Sequence, residues 1–244
     1  MITFFRKIRQ KLIQQSPPGK TKTQISRYLA YAVGEIALVM IGILLALQVN
    51  NWNEQKKNKA FEREILNLLD QNLKKDSALI SVELIHAKTG NQLTDSLLTQ
   101  VALGNYNEQL FIWLGKIINF QRFKSQSSAF EVLKSKGIEN ISDKDLQLAL
   151  IEYYDQSLFK VYQSNKDVES SFNNDWVPVA KAEFIDFVYL QRIVPRNPKE
   201  FFESPSSIVL FKIFQDNRAG AIRRMENALE EISRLRALIK KQNL

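Results

Sequence analysis

The 244-residue chain has no cysteine and a single histidine, with only eight glycines and six prolines. Without cysteine there is no disulfide framework, thiolate metal site, cysteine nucleophile or lipidated thiol. A lone histidine, His86, excludes a multi-histidine metal centre and leaves a Ser-His-Asp triad hard to assemble. No glycine-rich phosphate loop, GxSxG elbow, HExxH pair or EF-hand loop is present. The expectation is therefore a non-enzyme with no cofactor and no metal site. What is present is ordinary folded-chain composition, 45% hydrophobic and 25% charged, enough for one good-sized domain plus an appendage.

The net charge of +8 is concentrated at one end. Residues 1–34 hold seven basic side chains (Arg6, Lys7, Arg9, Lys11, Lys20, Lys22, Arg27) and no acid, leaving 27 basic against 26 acidic residues beyond them. A nearly neutral remainder argues against nucleic acid as a partner. Positive charge placed directly before the most hydrophobic segment is a membrane-topology pattern.

That segment, Leu29 to Val49, is 21 residues long with one charge, Glu35. As a helix it covers about 31 Å, matching a hydrocarbon layer of about 30 Å. Tyr28 and Tyr31 at one end and Trp52 at the other suit the two interfaces. A buried core helix fits the basic arm and aromatic ends poorly. A cleaved signal peptide is the stronger rival, because Ile36 to Leu47 has the length of a signal core. Against it stand a preceding region of more than thirty residues and no small-residue cleavage pattern at Leu44-Leu45-Ala46. The reading is an uncleaved signal anchor.

Four basic residues flank each end of the span at close range, so direction rests on the wider arm. Moving seven positive charges outward against an inside-negative potential costs about 15 kcal/mol at about 100 mV. The expected topology is therefore a cytoplasmic N-terminus, a bacterial inner-membrane span and a periplasmic C-terminal domain. Glu35 is a functional suspect as the one charge in the span, and equally a group at the headgroup boundary. Ala30, Gly34, Gly42 and Ala46 share a helix face that could bring two spans together. Ile2, Phe5, Ile8 and Leu12 recur at helical spacing among Arg6, Lys7, Arg9 and Lys11, an arm suited to the anionic inner leaflet. Ser16-Pro17-Pro18-Gly19 breaks it.

FFRKIRQKL followed by YAVGEIALVMIGILLALQVNNWNEQKK resembles the opening of a family of Bacteroidetes single-pass membrane proteins of unknown function. Ala129 to Ser157, AFEVLKSKGIENISDKDLQLALIEYYDQS, is similar to a second block of that family. The resemblance implies a bacterial envelope location and a helical C-terminal domain, and it supplies no site residues.

Beyond Trp52 the pattern is helical. Phe61, Ile65, Leu69, Leu73, Ile80 and Leu84 mark one apolar face of a long helix that continues the span as a stalk, ended by Gly90 or Gly104. Leu110, Trp113, Leu114 and Ile117 mark another helix. Ser128 with Glu131, and Ser142 with Asp145, have capping-box spacing, and Gly137 suits a helix stop. A helix from Asp143 toward Asn173 should turn Leu146, Leu150, Tyr153 and Tyr154 inward. Asn197-Pro198 and Ser204-Pro205 are start signals. Phe184 to Val194 is the best strand candidate, with helix favoured. Ile222, Met225, Leu229, Ile232, Leu235 and Ile239 line the last helix. The expected fold is all-α. It comprises an arm (1–28), a transmembrane helix (29–49), a stalk helix (50–105) and an antiparallel helical bundle (106–244) against which the stalk packs.

Among polar groups, Glu152 and Asp155 read as a salt-bridged edge, and Glu230 and Glu231 near Arg234 and Arg236 as surface pairing. His86 reads as a packing or surface residue, and Phe111, Trp113, Phe120 and Phe123 as core aromatics rather than pocket lining. The leading functional reading is a membrane-anchored domain for protein–protein interaction or scaffolding, with self-association or another protein as partner. The alternatives are a small-ligand sensor acting through a partner and, more remotely, an enzyme of unfamiliar type.

Overall fold

The structure, a computed structural model, describes the backbone of residues 21–242 and the side chains from residue 29 onward. The basic arm, with the inner-leaflet contacts expected of Arg6, Lys7, Arg9 and Lys11, lies outside the described residues, as does the Tyr28 side chain. The chain divides into two units, Met1–Asn58 and Lys59–Leu244.

Helix α1 runs from Thr21 to Ala102 without a break. It is long and apolar enough near its start to cross a membrane, and none of its most apolar window is buried. In the first unit the large apolar side chains from Leu29 to Trp52 are all exposed. Among the described side chains, polar contacts begin where the run ends: Asn50 Nδ2 donates to Glu54 Oε1 at 3.3 Å, and Lys56 Nζ sits 5.7 Å from the Trp52 ring centre. Helix α1 ends before Gly104, which takes φ +73°, a conformation that costs a side-chain-bearing residue about 1–2 kcal/mol. Gly90 stays inside the helix.

The second unit buries a stripe of α1 at three- and four-residue steps, including Ile65, Leu69, Leu73, Ile80 and Leu97. Around it lie α2 (Glu108–Ile117), α3 (Ser128–Lys136), α4 (Lys144–Ile151), α5 (Leu158–Ser171), α6 (Val177–Glu183), α7 (Pro198–Glu203) and α8 (Pro205–Gln242). Helices α4 to α6 form one continuous helical path through two wide turns, Glu152–Ser157 and Phe172–Trp176. Each inserts an extra residue into the turn and swings large rings inward: Tyr153, Tyr154 and Trp176 are buried. Helix α8 packs along α5 and α4 and supplies Phe211, Phe214, Met225, Ile232 and Ile239 to the core.

Three expectations are corrected. Phe184 to Val194 is not helical but forms most of a hairpin, β1 (Phe184–Val188) antiparallel to β2 (Arg192–Pro195). Its run of aromatic and β-branched residues suits a pleated surface better than a helix. Neither capping box forms. Ser127, not Ser128, precedes α3, while the Ser128 hydroxyl accepts from Asn72 Nδ2 at 3.3 Å. At α4, Asp143 is the cap, accepting from the Leu146 N–H at 3.0 Å, and Ser142 instead donates to Glu62 through N–H (2.5 Å) and hydroxyl (2.7 Å). In both cases a contact to α1 outcompetes the local cap. Gly137 does end α3, and Pro198 and Pro205 open their helices.

Candidate functional site

Two charged side chains occupy positions where the helical pattern demands apolar ones. On α1 the buried series steps seven residues from Leu73 to Ile80, and Asp76 fills the gap with no solvent exposure. On α8, Arg218 stands between Phe214 and Ala221 in the buried series and is 3% exposed. Burying a charge without compensation is costly, so each requires a reason.

Asp76 is satisfied by three donors. The Gln126 main-chain N–H donates to Oδ1 at 2.7 Å, and Oδ2 accepts from Tyr153 Oη at 3.2 Å and from the Ser125 hydroxyl. Burial raises its pKa, and the hydrogen bonds from Ser125, Gln126 and Tyr153 pull it partly back. The Tyr153 phenol is in turn pushed up by burial and by the Asp76 charge. The Ser125 N–H donates to Tyr162 Oη at 2.8 Å, completing a knot that pins the segment before α3 to α1 and α5. These polar groups are spent on one another, and the knot serves to hold the fold together.

Arg218 has a different environment. One guanidinium nitrogen donates to the Ile117 carbonyl at 2.6 Å, at the C-terminal end of α2, and another to Asn91 Oδ1 at 3.4 Å. The group lies 4.7 Å from the Phe214 ring centre and directly over Gly90, where a Cβ would come within 2.8 Å of it. No carboxylate among the described residues lies within 4 Å of it. Burial alone pushes its pKa down, to about 10, so it remains charged at neutral pH. It forms part of the wall of a cavity of about 30 Å³ whose other polar lining residues are Glu83, His86, Asn119, Gln121 and Asn165. Glu83, half-buried, is raised by burial and lowered in part by His86.

The hairpin carries the third feature. Ile185, Phe187, Val188, Tyr189 and Leu190 are all exposed, an apolar run on a folded domain. Its turn places Leu190 at φ +63°, where glycine or asparagine is the unstrained choice. The hairpin is anchored to the bundle: the Tyr189 hydroxyl donates to the Phe120 carbonyl at 2.7 Å, and the Arg192 backbone lies against Gly115 of α2.

The chain matches the family of unknown function DUF6090 over residues 35–209. It belongs to that family. No curated protein and no solved structure matches it. The stretch shared with DUF6090 contains Glu35, Asp76, Glu83, His86, the hairpin and Asn165, while Arg218 lies beyond it.

The sequence-derived residues of this DUF6090 member fall into place unevenly. Glu35, Trp52, Tyr31 and the face of Ala30, Gly34, Gly42 and Ala46 lie on α1 in the first unit, and nothing approaches a Cβ position at Gly34 or Gly42. Asp155 pairs with Lys134 at 3.2 Å, as an edge carboxylate should. Arg236 does not pair along its own helix but reaches Asp70 of α1 at 2.7 Å. His86 finds a partner outside its helix, its Nδ1 lying 3.0 Å from Gln121 Nε2. The aromatic group is dispersed: Phe120 packs on Phe172 (5.0 Å between centres), and Phe123 on Tyr162 (5.6 Å). Sequence reasoning does not single out Asp76, Arg218 or the exposed hairpin as functional positions. For the first two the available signal is a charge interrupting an apolar series.

Proposed function

We propose that this protein is a single-pass inner-membrane protein of a bacterium of the Bacteroidetes type, with its N-terminus in the cytoplasm. Its second unit, residues 59–244, faces the periplasm as a helical bundle and docks a protein partner through the β1–β2 hairpin. The apolar span, the basic residues before it and the resemblance of its opening to envelope proteins support the location. One observation carries the function: Ile185, Phe187, Val188 and Leu190 stand exposed on a hairpin that bends through a leucine with positive φ. Contiguous exposed apolar surface marks interaction sites, and a strained turn retained by a bulky side chain implies that the side chain itself is used.

A depression of about 540 Å³ borders only Asn197, Pro198, Lys199, Glu200 and Glu203 at α7, a groove beside one short helix rather than a gap between helices. Interaction is tested by placing a photo-crosslinking residue at Leu190 in living cells, with Glu230 as a control on α8. A discrete adduct at Leu190 that disappears when Ile185 and Phe187 become serine supports the reading. Adducts equal at both positions, or none at Leu190, refute it.

A further inference from the structure

We propose that the cavity walled by Arg218 is a binding site for a small monoanion of the size of chloride or formate. Its wall is drawn from separate parts of the second unit: Glu83 and His86 on α1, Gln121 on the loop after α2, Asn165 on α5 and Arg218 on α8. At about 30 Å³ it exceeds the 10–15 Å³ or so that one water requires, and it is far too small for a nucleotide or sugar.

The charge balance specifies the sign of the occupant. Arg218 is a nearly fully buried cation with two neutral acceptors and no carboxylate within ion-pair distance among the described residues. A guanidinium has five N–H donors, and among the described residues only two bonds from it are made to protein. Asn165, on the same wall, carries a side-chain amide. The fork and the amide together suit a monoanion bound by charge-assisted hydrogen bonds. Lys88, by contrast, sits at the surface with a carboxylate of its own, Glu226 at 2.6 Å. Glu83 sets a pH dependence. It is the carboxylate on the same wall, its pKa is raised by burial, and an arriving anion would favour its protonated form, so binding strengthens as the pH falls through the range in which Glu83 takes up its proton. Lys88 and Glu226 at the neighbouring turns pair with each other.

The test uses the full-length protein in a neutral detergent at constant ionic strength, with sodium gluconate replaced stepwise by sodium chloride or sodium formate. The thermal midpoint should rise saturably by several degrees, and chloride NMR lines should broaden and be restored by formate. Arg218→Met should abolish both effects. Because that variant loses a buried contact and can fail to fold, two others keep the question open to refutation. Asn165→Leu, which removes one donor, should raise the half-saturating concentration about tenfold. Ala87→Leu, which intrudes on the cavity from α1, should remove the chloride and formate response, read as the difference from gluconate within the same variant. A wild-type midpoint that rises linearly with either salt, or a saturable rise that both of these variants retain, overturns the site.

Discussion

Asp76 accepts a 2.7 Å hydrogen bond from the main-chain N–H of Gln126, 50 residues further along the chain. One carboxylate thus organises the segment leading into α3, because Ser125 and Tyr153 converge on its other oxygen. The arrangement satisfies a polar segment that would otherwise meet an apolar helix face.

That geometry makes substitutions at Asp76 diverge. Asp76→Asn keeps an acceptor for the Gln126 N–H and offers donors to Ser125 and Tyr153, so stability at neutral pH should change by less than about 1 kcal/mol. Asp76→Leu strands all three groups and should cost about 2–4 kcal/mol. Because burial raises the folded-state pKa above the unfolded value, the folded state holds the proton more tightly. The stability this contributes is complete below about pH 4 and is lost as the pH rises through the elevated folded value. Urea midpoints measured against pH should fall over that interval for the wild type and not for Asp76→Asn.

Gly115 faces the hairpin. A Cβ there would come within 2.6 Å of the Arg192 nitrogen and 2.7 Å of the Gln191 carbonyl carbon, both main-chain atoms that cannot rotate away. Gly115→Ala should cost about 1–3 kcal/mol and displace the hairpin, despite alanine being the better helix former. Chemical denaturation checks the first effect, and loss of the Tyr189–Phe120 contact, read by tyrosine fluorescence, the second.

Leu190→Gly should stabilise the fold by about 0.5–1 kcal/mol, since relief of left-handed strain outweighs the added chain entropy. The same substitution should weaken partner crosslinking measured from a probe at Val188. A variant that gains stability and keeps full crosslinking would show that the leucine side chain is dispensable.

Residues 59–244 should fold apart from the apolar run. Among the described residues every buried core side chain, from Ile65 to Ile239, lies within the second unit. The isolated fragment should give a helical circular dichroism spectrum and one cooperative unfolding transition in detergent-free buffer. A fragment that aggregates or melts without cooperativity would contradict this.

The amino-acid sequence alone determined the membrane-length apolar run, the charge asymmetry beside it, the helical class and most of the core. Those properties are written in local period and composition: Ile65, Leu69 and Leu73 must share a helix face wherever the helix sits. Tertiary packing decided the rest. Ser128 and Ser142 carry cap signals, yet Asn72 and Glu62 of α1 claim their hydroxyls, because a contact across the fold satisfies them equally well. Arg236 bypasses its neighbours Glu230 and Glu231 for Asp70 for the same reason. Phe184 to Pro195 becomes a hairpin because α2 offers the bare backbone of Gly115 for β2 to lie on. Asp76 and Arg218 are visible in the sequence only as interruptions of an apolar pattern. What each interruption does depends on groups about 50 to 130 residues away, brought near by folding, and no local period encodes that distance.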